Sequence, residues 1–248
     1  MRKKPNLVPR LEKCAELMID SPEELRGRWS GSFGGYKGLR VELGCGKGRF
    51  TADCAQASPD ILLVAVERDP SALVMAMERV RGRGVGNVRF ILGDVGGLKA
   101  AFADGEAETL YINFCDPWPK SRDAKLRLTA PAFLRMYADV LAPGGEIRFK
   151  TDNAPLFDWS VERMEEEGWE LKDVTHDLHA NGEVGIMTDY EAKFVAQGMK
   201  INSLTAVKTA GTKTTAAGVP PRLRNASLCD ARGFEESRRT NGEKERGE

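Results

Sequence analysis

The chain has 248 residues, 41% hydrophobic and 30% charged, and its 37 basic and 37 acidic side chains leave a formal net charge of zero. This is a globular composition without a global basic field, so any RNA-binding surface must be a local patch. No apolar run is long enough to span a bilayer, and none follows the basic start Met1-Arg-Lys-Lys-Pro-Asn as a secretory signal requires.

Five cysteines (Cys14, Cys45, Cys54, Cys115, Cys229) are scattered without a Cys-x-x-Cys pair, and the only histidines are His176 and His179. No zinc site or disulfide framework is expected, and reduced thiols in a cytoplasmic protein are.

Residues 1–38 read as a basic N-terminal segment, with a short amphipathic stretch and a glycine-rich lead into the core. From residue 39 apolar strands alternate with helical periods. The strands are predicted at Leu39–Leu43, Ile61–Val66, Val88–Leu92, Thr109–Phe114, Glu146–Lys150, Trp169–Val174 and Ile201–Val207. Helices are predicted at 49–57, Ala72–Arg81, about Ala130 to Leu141, a stretch ending at Glu167, and 189–197. This alternation predicts an α/β fold, a doubly wound and mostly parallel sheet over residues 39–207, with ligands at the strand carboxyl ends. Beyond 208 no apolar period survives; residues 208–248 carry nine basic and six acidic side chains and read as a disordered tail.

The first strand runs into Val41-Glu42-Leu43-Gly44-Cys45-Gly46-Lys47-Gly48. Glycines after a buried strand let the backbone pass close to a ligand. The spacing is not that of a dinucleotide fingerprint, because Arg49 stands where the third glycine would be needed. Glu42 suits a cationic ligand better than a phosphate. Glu67 closes the second strand, 19 residues beyond Gly48, where a carboxylate can accept both ribose hydroxyls of an adenosine. Asp94 ends the third strand, placed to meet an adenine edge. Singly, each acid reads as a solvated strand end; together, beside a glycine loop, they point to one cofactor site. In this pattern, with Gly44 and Gly46 in the loop, the chain resembles the class I methyltransferases over about residues 39–175. The resemblance implies S-adenosylmethionine as cofactor.

Strand four leads into Asn113-Phe114-Cys115-Asp116-Pro117-Trp118-Pro119-Lys120. Two prolines stiffen the backbone around Trp118 and hold Asp116 where cofactor and substrate should meet. Lys120, Arg122, Lys125 and Arg127 follow, four bases against the single acid Asp123. They read either as a solvated helix start or as contacts to a polyanion.

This segment resembles the signature of tRNA (guanine-N7-)-methyltransferases of the single-subunit bacterial type. Lys150-Thr151-Asp152-Asn153, the segment Thr188-Asp189-Tyr190-Glu191-Ala192-Lys193-Phe194 and the basic Arg2-Lys3-Lys4-Pro5 agree with it, so the similarity covers about residues 1–207. Cys115 departs from the Pro or Ser expected there, without displacing Asp116. The resemblance implies N7 methylation of a guanine in the tRNA variable loop, with Asp116 catalytic and adjacent to the cofactor. It implies Lys120, Asp152, Thr188 and Glu191 on the substrate, no membrane, and no obligate protein partner, the chain acting as a monomer or homodimer. Thr188 and Glu191 also form a capping-box pattern, and Asp152 or Asn153 before Pro155 an N-cap. Competing readings are a class I methyltransferase on another RNA or protein and a non-catalytic RNA-binding subunit. Asp-Pro-Trp-Pro argues against an exocyclic-amine enzyme, and the retained acids argue against loss of catalysis.

Overall fold

The structure, a computed structural model, describes residues 6–215. The basic start at Arg2–Lys4 and most of the expected tail lie outside the described residues.

Seven strands form one sheet: β1 (Gly38–Leu43), β2 (Ile61–Glu67), β3 (Val88–Leu92), β4 (Ala107–Asn113), β5 (Leu141–Thr151), β6 (Glu170–Thr175) and β7 (Asn202–Val207), in the order β3-β2-β1-β4-β5-β7-β6. Strands β1 to β5 pair in parallel, and β7 runs antiparallel to both β5 and β6. The chain winds outward from β1 in one direction and from β4 in the other. The gap between their carboxyl ends is the switch point at which such sheets bind ligands.

Alternation along each strand feeds two cores. Leu62, Val64, Val66, Leu110, Ile112, Ile147 and Phe149 face α5 (Leu98–Ala101), α6 (Pro131–Val140) and α7 (Ala154–Glu166). Leu63, Ala65, Phe90 and Tyr111 face α1 (Leu7–Glu12), α3 (Arg49–Ala57) and α4 (Pro70–Gly82). Strands buried on both faces must be apolar throughout, which is why they read as near-continuous runs. Helix starts are chemically marked: Asp69 accepts the Ser71 amide ahead of Pro70, and Asn153 accepts the Leu156 amide ahead of Pro155.

Three features differ from the sequence reading. Strand β5 begins at Leu141, with the register shift to Glu146 taken up across Pro143-Gly144-Gly145. The N-terminal segment is part of the core: Leu11, Cys14 and Leu17 are buried, and fully buried Trp29, in α2 (Trp29–Ser32), stacks on Phe102 and donates its indole N–H to the Ala101 carbonyl at 2.8 Å. Residues 208–215 are packed rather than tail-like. Lys208 donates to the Leu141 carbonyl, Thr212 to the Gly168 carbonyl, the Lys213 amide to the Glu167 carbonyl, and Thr215 to Asp139. These are polar contacts with no apolar period, so the pattern that finds strands and helices passes over them. A chain ending at Val207 should therefore melt about 5 °C below one ending at Thr215, a difference thermal unfolding of the two would measure.

Candidate active site

The carboxyl ends of β1, β2 and β4 open into a cavity of about 1170 Å³. A nucleoside-sized ligand fills well under that volume, so there is room for a cofactor and a nucleobase together. Glu42, Gly44, Gly46, Glu67, Asp94 and Asp116 all line it. The structure thus brings together the residues that the sequence spreads over some seventy positions.

The glycine loop needs its composition for two reasons. Gly44, Gly46 and Gly48 have φ of 81°, 55° and 73°, a region side chains rarely adopt. A Cβ at Gly44 or Gly46 would meet nothing, whereas one at Gly48 would lie 2.5 Å from the Ala76 Cβ. Gly48 is therefore needed for packing against α4, and the first two for a backbone that turns along the cavity. The Gly46 amide donates to Glu67 Oε2 and the Asp69 amide to Glu67 Oε1, both at 2.9 Å. Glu67 consequently ties the loop to the start of α4 as well as facing the cavity, so it has a structural role that its strand-end position did not reveal. Asp94, exposed, accepts the Gly96 amide at 2.8 Å.

Glu42 is 1% exposed and accepts the Thr51 hydroxyl at 2.6 Å. Burial pushes its carboxyl up to about 7; the Thr51 and Asn113 side chains oppose this, and nearby Glu67 adds to it. An acid whose folded-state pKa lies above its unfolded value of 4.5 holds its proton in the fold after the unfolded chain has given its own up. Stability should then fall as pH rises from about 4.5 to about 7 and level off above, by on the order of 3 kcal/mol. Denaturant titrations of Glu42→Gln should show this slope flattened; a slope identical to wild type would place it on another group.

Asp116 is 64% exposed and accepts from Arg68 Nη2 at 2.9 Å. Its loop is held at both ends in an unusual way. Phe114 and Trp118 take φ of 53° and 42° without being glycine, and such residues cost roughly 1–3 kcal/mol each unless their surroundings fix them. The surroundings are visible: the Phe114 amide donates to the Lys150 carbonyl, the Phe114 ring meets Phe194, and the Arg127 guanidinium donates to the Pro117 and Trp118 carbonyls while lying 4.5 Å over the Trp159 ring. Trp118 is half-buried and lines the cavity.

The basic run divides. Lys125 lines the cavity, Lys120 and Arg122 are exposed beside it, and Arg127 is committed to its own loop rather than offered to a phosphate. The run forms a 3₁₀ turn, Ser121–Leu126, rather than a helix start. Thr188 caps α8 (Asp189–Ala196) and lines the cavity. Glu191 closes the capping box, is fully buried, and does not line the cavity. Its oxygens are occupied from inside the protein, so in this conformation it does not present them to a base. Asp152 is half-buried and also stands outside the cavity lining.

Several residues at the site were given no role by the sequence. Arg68 directly follows Glu67, and that adjacency is the one sequence signal it has. Asn113 is buried at the end of β4 with its side chain beside the Glu42 carboxyl. Arg79 of α4 reaches Asp189 at 2.7 Å. No group of three or more His, Cys, Asp or Glu among the described residues is arranged to hold a metal ion, and no helix among them is long and apolar enough to cross a membrane.

The chain is similar to known methyltransferases. The family model described as "Putative methyltransferase" matches residues 37–204. A tRNA (guanine-N(7)-)-methyltransferase of Bacillus cytotoxicus is 41% identical over 202 residues, covering 81% of this chain and 93% of its own. One of the same name from Geobacillus kaustophilus is 40% identical, covering 84% and 96%. Among solved structures, the 16S rRNA methyltransferase KamB superposes with a TM-score of 0.56 over 75% of this chain and 92% of its own, at 19% identity, a likeness of fold.

Proposed function

This chain belongs to the tRNA (guanine-N(7)-)-methyltransferases, and from that premise we propose that it transfers a methyl group from S-adenosylmethionine to N7 of a guanine in tRNA. The observation that carries the reading is convergence: the glycine loop, three strand-end acids and Asp116 line one cavity with room for both reactants. The residues fit the cofactor chemically. Glu67 would meet the ribose hydroxyls, Asp94 the adenine edge, and Glu42 with neighbouring Asn113 the amino-acid end.

S-adenosylmethionine supplies the methyl on a sulfonium. Guanine N7 offers an exposed lone pair and carries no proton, so no side chain has to act as general base. The protein's work is to align N7 with the methyl, exclude water and offset the positive charge that moves onto the purine. The last task falls to the Asp116 carboxylate, which Arg68 steadies from the rim. Thr188, on the cavity wall, supplies an acceptor for the guanine N1–H or amine, and Lys120 a phosphate contact.

Incubating the protein with labelled S-adenosylmethionine and unmodified tRNA, then mapping the product, tests the reading. N7-methylguanine in the variable loop is expected; label elsewhere, or none, overturns it.

With a neutral chain, attraction to the tRNA backbone must come from local bases. Arg122→Ala with Lys125→Ala should raise the KM for tRNA and reduce the salt slope of binding by about 1 for each phosphate no longer neutralised. Affinity for the cofactor should stay within about twofold, since Arg122 and Lys125 are both solvent-exposed. Parallel salt plots for variant and wild type would mark these side chains as merely solvated. The free thiols Cys14, Cys45, Cys54 and Cys115 support a reducing compartment, the cytoplasm. We further propose that it acts without an obligate protein partner, as a monomer or homodimer.

A further inference from the structure

Glu191 sits at the centre of a buried network beside the cavity. Lys150 Nζ donates to its Oε1 at 2.9 Å and His179 Nε2 at 3.0 Å, while the Thr188 amide donates to Oε2 at 3.2 Å. The His179 side chain is 8% exposed. Its other ring nitrogen, Nδ1, accepts the Val184 amide at 3.1 Å. A backbone N–H can only donate, so Nδ1 carries no proton and the ring proton sits on Nε2, directed at Glu191. The imidazole thus links the backbone at 184 to the carboxylate. Lys150 adds a second link by donating to the Ile186 carbonyl at 3.0 Å.

The segment held this way has little stiffness of its own. Residues 180–185 are exposed, and Gly182 and Gly185 adopt φ of 111° and 70°. Just beyond it, Thr188, Asp189, Tyr190 and Lys193 form one wall of the cavity. Val184, Ile186 and Thr188 are each fastened to the same network, and the Arg79–Asp189 pair anchors the far end on α4.

We propose that His179 is a positioning residue for the nucleotide substrate: by donating to Glu191 and accepting from Val184, it fixes the segment 184–190, whose end at Thr188–Tyr190 is the cavity wall against which the target base docks. The inference rests on the reading of this cavity as the methyl-transfer site. It also gives Glu191 a definite task, that of holding its neighbours rather than touching the base.

The test compares His179→Ala, His179→Gln and His179→Asn in the full chain. A glutamine amide can take the place of the ring Nε2–H; an asparagine amide falls short of Glu191. Alanine and asparagine should raise the KM for tRNA about tenfold while leaving kcat within about threefold. Calorimetric affinity for S-adenosylhomocysteine should stay at the wild-type value. Amide exchange over residues 184–190 should quicken, and glutamine, which restores the donor to Glu191 but not the Nδ1 acceptor for the Val184 amide, should recover most of KM and part of the exchange protection. A merely structural histidine would instead shift cofactor affinity along with KM, without rescue by glutamine, and that result overturns the proposal. So does a wild-type KM in the alanine variant. Should the alanine variant fail to fold, the asparagine and glutamine pair carries the same comparison, and equal KM for the two is the overturning result. If the wild-type protein methylates no tRNA, the methyltransferase reading fails on its own; positioning is then decided by exchange, and unchanged exchange at 184–190 in all variants overturns it.

Discussion

Replacing Asp116 by asparagine should lower single-turnover methylation of unmodified tRNA by about 10²–10³-fold, with cofactor affinity changed by no more than about threefold. The substitution keeps size and removes charge. The charge matters because the purine becomes cationic as the methyl arrives, and Asp116 is the carboxylate on the rigid segment Phe114–Trp118 at the mouth of the cavity. An electrostatic aid of this kind works only if it is already in place, and the left-handed Phe114 and Trp118, pinned by Lys150 and Arg127, keep it so. Stability should hardly move, since the Arg68–Asp116 pair is 64% exposed on both sides and exposed pairs contribute little. Arg68→Ala separates the alternatives: it leaves the carboxylate in the cavity and should cost far less turnover than Asp116→Asn. A rate for Asp116→Asn within a few-fold of wild type, a barrier change on the order of 1 kcal/mol, would remove Asp116 from the mechanism.

The parts of this site that could be read in the sequence are those encoded by backbone demands. A glycine loop after a buried strand, acids at three strand ends and a proline-bracketed loop each constrain only a few adjacent residues, and strand order then brings them together. The same holds for the parallel sheet, whose strands are apolar on both faces. What escaped was set by contacts between distant residues. That Arg127 grips the Trp118 carbonyl while Lys125 faces the cavity cannot be told from two bases two positions apart. Glu191 looks like a ligand-reading acid until Lys150 and His179, 41 and 12 positions away, are seen to occupy it. The antiparallel seating of β7, and the polar anchoring of residues 208–215, likewise depend on partners that no local pattern announces.

Glu67 should prove the most costly cofactor residue to change, and glutamine should serve almost as badly as alanine. Both carboxylate oxygens are already acceptors, one for the Gly46 amide and one for the Asp69 amide, each at 2.9 Å. A glutamine has one oxygen for two N–H groups and must turn its own N–H2 toward the other. The glycine loop is then released from α4 at the place where the ribose would dock. Hydrogen bonds to a charged group contribute about 1.5–3 kcal/mol each, so removing the acceptor for two ribose hydroxyls should weaken S-adenosylmethionine binding by about 10²–10⁴-fold. Loop distortion and a missing ribose acceptor would both lower affinity, and a double-mutant logic separates them. In wild type, a 2′-deoxy analogue of S-adenosylhomocysteine should bind markedly more weakly than the parent compound. In Glu67→Gln the two should bind alike, because the acceptor that distinguished them is gone. If calorimetry instead shows the full 2′-hydroxyl discrimination surviving in the variant, Glu67 acts only as the tie between loop and helix, and the ribose acceptor must be sought elsewhere along the cavity.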